Sequence, residues 1–207
     1  MKIIFLLISS LFIFTINAQN KIGSFTTDKG ETIDVYENKD NIVDLDLASR
    51  MIIKGNVILT SEKLIYFDAS NKVKKIKQHK VELLNFDGRT FKNLPITKIG
   101  QKRLHEIFIE NDKYILTNYS STLGNYFYIF NKNDMKIVKK KTHHSLKKKD
   151  DYKSLDKIIK KYFSNCPEIF DQIKQNIRNL DYAWKDANGN WLIKNNMFNG
   201  FVNYKCN

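Results

Sequence analysis

From Lys21 to about Lys140 the chain is a succession of short apolar–polar runs broken by turn-forming residues. A period of two sends successive side chains to opposite faces, so such a region has to fold as an antiparallel sheet with at least one buried face. Gly23–Thr27, the turn Asp28-Lys29-Gly30 and Thr32–Tyr36 predict an opening hairpin. Met51–Leu59 reads as a strand interrupted at Gly55-Asn56. Lys63–Phe67 and Val73–Ile76 flank a turn at Asp68–Asn71, and Val81–Phe86 ends at Asp87-Gly88, a strong tight-turn signal. His105–Glu110 alternates so as to place Ile107 and Ile109 on one face. Asn111-Asp112 turns the chain into Lys113–Tyr119, and Tyr126–Phe130 pairs with Met135–Val138 across Asn131–Asp134. The expected product is an antiparallel β-meander, a curved sheet or partly open barrel.

Past the sheet region the period changes. Leu155, Ile158, Ile159, Tyr162 and Phe163 fall on one helical face. Asn165-Cys166 ends that helix, Pro167 suits the first turn of the next, and Glu168 and Asp171 complement its positive end. Ile169, Phe170, Ile173 and Ile177 form the second stripe. Asp186–Gly189 reads as a turn, and Met197–Tyr204 as a last short helix. The fold class is therefore α+β. Residues 19–140 form the β-rich domain, 141–151 a basic linker and 152–207 a helical cap.

The start of the chain carries an address. Met1-Lys2 is followed by an apolar run from Ile3 to Ile16 and by Asn17-Ala18, the order of charge, apolar core and small residues that a signal peptidase recognises. As a helix that run spans roughly 21 Å, short of a hydrocarbon core of about 30 Å. Cleavage before Gln19 and export to the periplasm, outer-envelope surface or medium are expected, with no transmembrane segment in the mature chain. In an oxidising compartment the two cysteines, Cys166 and Cys206, read as a disulfide rather than a metal pair or a catalytic thiol. They lack the close pairing of structural zinc sites, and no Cys-His-Asn signature surrounds either.

Of the 207 residues 42% are hydrophobic and 13% aromatic, too apolar a composition for a disordered chain, and the formal net charge is +13. Much of that charge lies between Lys132 and Lys161, where twelve lysines face four aspartates. Lys139, Lys140, Lys141, Lys147, Lys148 and Lys149 make a candidate anion-binding patch for envelope polyanions such as lipopolysaccharide, or for nucleic acid. Arginine, the better bidentate phosphate reader, occurs at four positions only, which favours a solvated linker instead.

Catalytic patterns are missing. There is no phosphate-cradling glycine loop, no nucleophile elbow and no H-E-x-x-H helix. His143-His144 would point apart in a strand, and His105-Glu106 would fall on opposite faces of one, so neither makes a convincing metal pair or dyad. Asp44, Asp46, Glu82 and Asp87 include candidate carboxylate pairs whose separation sequence cannot give. No cofactor, metal or calcium loop is expected.

Ala18-Gln19, Tyr126-Phe127-Tyr128 and the run Tyr162–Pro167 carry a resemblance. The layout resembles an uncharacterised group of exported Bacteroidetes proteins with a signal peptide, an aromatic β-meander and a Tyr-Phe-x-x-Cys-Pro-like motif in a C-terminal helical part. The resemblance implies export and Cys206 as the partner of Cys166, and brings no activity. Val57–Phe67 more weakly resembles a hairpin of bacterial pleckstrin-homology-like domains. The expected role is a non-catalytic binding or structural component of the envelope, with an envelope polyanion or another envelope protein as partner. The competing expectations are a small hydrolase or ribonuclease-like toxin using His79 or His105 as acid or base, and an electrostatic binder of lipopolysaccharide or nucleic acid.

Overall fold

The computed structural model describes residues 19–37, 50–53, 57–60, 62–97, 100–121, 124–143, 157–178 and 203–206. The expected signal peptide, Asp44 and Asp46, Lys147–Lys149, His144, the turn at Asp186–Gly189 and most of Met197–Tyr204 lie outside them.

The strands are β1 (Lys21–Thr27), β2 (Thr32–Tyr36), β3 (Arg50–Ile53), β4 (Val57–Thr60), β5 (Lys63–Phe67), β6 (Val73–Lys77), β7 (Val81–Phe86), β8 (Arg89–Pro95), β9 (Lys102–Glu110), β10 (Tyr114–Ser121), β11 (Gly124–Asn131), β12 (Ile137–His143) and β13 (Tyr204–Lys205). Two helices, α1 at residues 157–162 and α2 at Pro167–Arg178, precede β13. The strands form one curled half-barrel sheet in the order β12-β11-β10-β9-β8-β7-β1-β2-β5-β4-β3, with β6 on β5 and β13 on β9. From β7 to β12 it is the expected meander. The curl brings β3, at one end of the order, against β10 near the other.

Local chemistry sets the turns. Asp87 and Gly88 have φ of 49° and 70°, the paired positive values of a primed hairpin turn. The Asp68 carboxylate accepts from the backbone N–H groups of Ser70 and Lys72, and these bonds hold its pKa below the usual carboxylate range. Asn111 does the same for Lys113 and Tyr114, while its amide donates to Tyr162 O and Asn165 Oδ1 at 3.0 Å each. One buried side chain thus shapes the β9–β10 turn and docks the end of α1 on it. Gly23 sits where β1 meets β7: a Cβ there would run into the Asn85 carbonyl oxygen.

Directly opposite residues share a face. Phe25, Leu84, Phe91 and Glu106 are register partners across β1, β7, β8 and β9. Together with Val35, Val57, Leu59, Leu64, Tyr66 and Leu104, the three apolar members of that row fill the inside of the curl. Farther along, Phe108, Ile109, Leu116, Phe127 and Ile129 are covered by Ile159, Phe163, Cys166, Ile169 and Ile173 of the helical part. Where described, both expected helical stripes are therefore the ones buried, with Ile158, Tyr162 and Phe170 partly so, while Leu155 and the Ile177 side chain lie outside the description. Cys166 and Cys206 form the expected disulfide, with Cα atoms 5.6 Å apart.

Four expectations are corrected. Met51–Leu59 is the hairpin β3–β4 rather than one strand, because Ile53 lies opposite Val57 and the chain reverses between them. Ile107 and Ile109 lie on opposite faces: Ile109 pairs with Leu116 and Ile107 with Thr117, so the register shift leaves Phe108 as an extra residue and reverses the alternation. Lys139–Lys141 belong to β12, which pairs with β11 from Asn125↔His143 to Phe130↔Ile137, so the described sheet runs past 140 to His143. Tyr204 lies in a strand paired parallel to β9, not in a helix, because the bridge to Cys166 draws the chain end onto that edge.

Candidate functional site

Pairing with β8 covers β9 only as far as Glu106, opposite Phe91. Beyond it, the β7–β8 hairpin turns away at Asp87-Gly88 while β9 runs on to Glu110. Residues 203–206 fill the vacated edge. Asn203 N–H donates to Ile107 O at 3.2 Å and Cys206 N–H to Glu110 O at 2.8 Å. The Asn203 side chain donates to Gly88 O at 2.8 Å, pinning the segment to the hairpin it replaces. The Tyr204 hydroxyl donates to the Glu168 carboxylate at 2.7 Å; that bond lowers the Glu168 pKa and raises that of Tyr204.

On the face away from the helices, this split opens a cleft of about 430 Å³. Its apolar residues are Leu83, Ile107, Ile115 and Met135, and its polar lining comprises Glu82, Thr90, Lys92, Glu110, Lys132, Asn203 and Lys205. Ile107 and Ile115 are buried, and Ile107 points here because of the extra residue at Phe108. Glu110 is neutralised by Lys132 at 2.5 Å. Lys92 is half-buried and Lys205 exposed, and neither has an ion-pair partner among the described residues.

No histidine lines the cleft. His105 and Glu106 do fall on opposite faces, as expected. Glu106, 4% exposed, receives a bidentate pair of hydrogen bonds from Arg89 Nε and Nη2 at 2.6 Å each, with the guanidinium 5.1 Å above the Phe91 ring. His105, fully buried, packs against Tyr119, Tyr128 and Phe130 at centroid distances of 5.5, 4.9 and 5.4 Å, and its Nδ1 meets Thr117 Oγ1 at 3.0 Å. Burial drives its pKa down to about 3, so the ring is neutral across the physiological range. Burial likewise pushes the Tyr128 phenol up to about 12. His79 is exposed on a turn of 3-10 helix, Gln78–Lys80, whose Gln78 side chain spans from Thr60 O to Leu104 N. Among the described residues no three histidine, cysteine or acidic side chains converge as a metal site.

Glu82 lines the cleft while Asp87 sits in the β7–β8 turn, and that candidate carboxylate pair does not share the cleft. Lys139, Lys140 and Lys141 follow one another along β12, so they alternate between faces instead of forming one clasp. Lys140 lies 4.9 and 5.4 Å above the rings of Tyr126 and Tyr128. Of the cleft residues, sequence reasoning singled out Glu82, as a candidate carboxylate, but could not assemble the rest, which come from four strands of the meander, the β11–β12 turn and residues 203–205. Compared with known proteins, the chain matches no protein-family model, and neither a curated protein nor a solved structure is similar to it.

Proposed function

We propose that the protein is an exported, non-catalytic binding protein of the cell envelope or its surroundings, holding a small ligand in the cleft beside β13. The observation that carries this reading is the cleft: its volume of about 430 Å³ falls within the roughly 300–1,000 Å³ of small-molecule sites. It joins an apolar floor to a few charged groups and contains neither a histidine nor a cysteine. The Cys166–Cys206 bridge supports export, because such bonds persist in oxidising compartments. The competing reading, with His79 or His105 as general acid or base, would need that histidine to face a concave polar site, and neither is so placed.

Native mass spectrometry of the protein recovered from the exporting cell tests this. It should find a chain beginning at Gln19 that carries a small molecule, and Leu83→Trp, which fills the cleft, should arrive empty. A chain retaining residues 1–18 inside the cell would defeat the export reading. Protein that is empty in both forms would defeat the binding reading.

A second reading, electrostatic binding of lipopolysaccharide or nucleic acid, draws on the lysines of β12. It requires an affinity that falls steeply with salt and drops when Lys139, Lys140 and Lys141 become glutamine.

A further inference from the structure

We infer that the ligand of the cleft is an amphipathic monoanion, with a carboxylate-like head between Lys92 and Lys205 and a short hydrocarbon body on Leu83, Ile107, Ile115 and Met135. The inference rests on the cleft being a ligand site and names the class of ligand it takes.

The charges of the lining decide the head. Lys92, Lys132 and Lys205 face Glu82 and Glu110, an excess of one positive charge. Lys132 is committed to Glu110, which removes that pair from ligand recognition. Lys92 is half-buried among Leu83, Thr90 and Ile107 without a counter-ion among the described residues. A cation drawn partly out of water is stabilised by an anion brought to it. Lys205, exposed on β13 farther along the same β9 edge as β8, supplies a second cationic donor to the cleft. Glu82 on the rim opposes a polyanion and leaves room for a single negative charge.

The floor decides the body. Ile107 and Ile115 are buried residues that still line the cleft, and Leu83 and Met135 flank them half-buried. A hydrocarbon laid over these side chains removes apolar surface on both partners from water. Each half of the site takes its own part of the ligand: the head sits on lysines, the tail on a floor that cannot bind a charge.

Calorimetric titration with decanoate and with 1-decanol, both below their aggregation limits, separates the parts. Decanoate should bind, and decanol, with the same tail, about tenfold or more weakly. Lys92→Gln and Lys205→Gln should each weaken decanoate by about tenfold and leave decanol unchanged. Leu83→Trp should abolish binding of both. Equal binding of the two probes, or lysine variants indistinguishable from the native protein, would overturn the assignment of an anion while leaving the cleft a ligand site. Binding of neither probe, or binding indifferent to Leu83→Trp, would overturn both.

Discussion

Arg89 and Glu106 show how one buried charge is made tolerable. The carboxylate stands at the end of the row Phe25–Leu84–Phe91, inside the curl, where it depends on the guanidinium two residues along β8. Arg89→Met should cost about 3 kcal/mol in urea unfolding, because it strands a buried carboxylate, and Glu106→Gln should cost less, since a neutral amide replaces the charge. Equal losses under about 1 kcal/mol would show that water reaches the pair. His105 sets a different condition. Its folded pKa of about 3 lies below the roughly 6.5 of an unfolded histidine, so between those values the unfolded chain holds a proton that the folded chain does not. Its contribution is whole above pH 6.5 and is lost as pH falls, by up to about 1.4 kcal/mol per unit. His105→Leu should flatten the stability profile between about pH 6.5 and 4.5. Parallel profiles for the two proteins would mean that the ring protonates in place.

At the scale of elements, the turns and stripes that sequence displayed were those with a local chemical cause. Asp87-Gly88 has the backbone freedom for paired positive φ, and Ile159, Phe163, Ile169 and Ile173 repeat at helical spacing against an apolar partner. What stayed hidden had no local cause. The extra residue at Phe108 is an ordinary phenylalanine in an alternating run, and only the register with β10 reveals it. β13 is two residues long, too short to show a period, and its place is fixed by a partner about a hundred residues earlier. Lys139–Lys141 have poor strand composition, yet β11 supplies a ladder for them. The cleft inherits this illegibility, since Ile107 enters it through the bulge and Lys205 through β13. The bridge closes a sequence separation of 40, so Cys166→Ser with Cys206→Ser should cost about 4 kcal/mol. Hydrogen exchange should then quicken first at residues 203–206 and at Ile107–Glu110; unchanged protection there would show that β13 holds without the bridge.

Across the whole molecule, the lysine excess follows the sheet's open edges. Among the described residues β6, paired only with β5, carries Lys74, Lys75 and Lys77, and β12, at the end of the order, carries Lys139, Lys140 and Lys141. Unpaired strand edges invite pairing with other chains, and lysine discourages it because the approaching edge would bury or face its charge. Val73 and Val138, 46% and 40% exposed, are the large apolar side chains exposed among the described residues, and each sits on one of these strands beside those lysines. Lys139→Val with Lys140→Val should therefore raise light scattering as concentration increases, whereas a variant as monodisperse as the native protein would remove the edge-guarding role.

The position of β13 also sets a clock. Residues 203–206 are the last described part of the chain to be synthesised, and they pair with β9 at Ile109 and Glu110 on the edge opposite β10. A ribosome therefore releases the whole meander before that edge is closed, and contacts of such long sequence separation form late. Until residues 203–206 arrive, that edge of β9 lacks its partner, and the cleft beside β13 is completed only after the rest of the meander is in place.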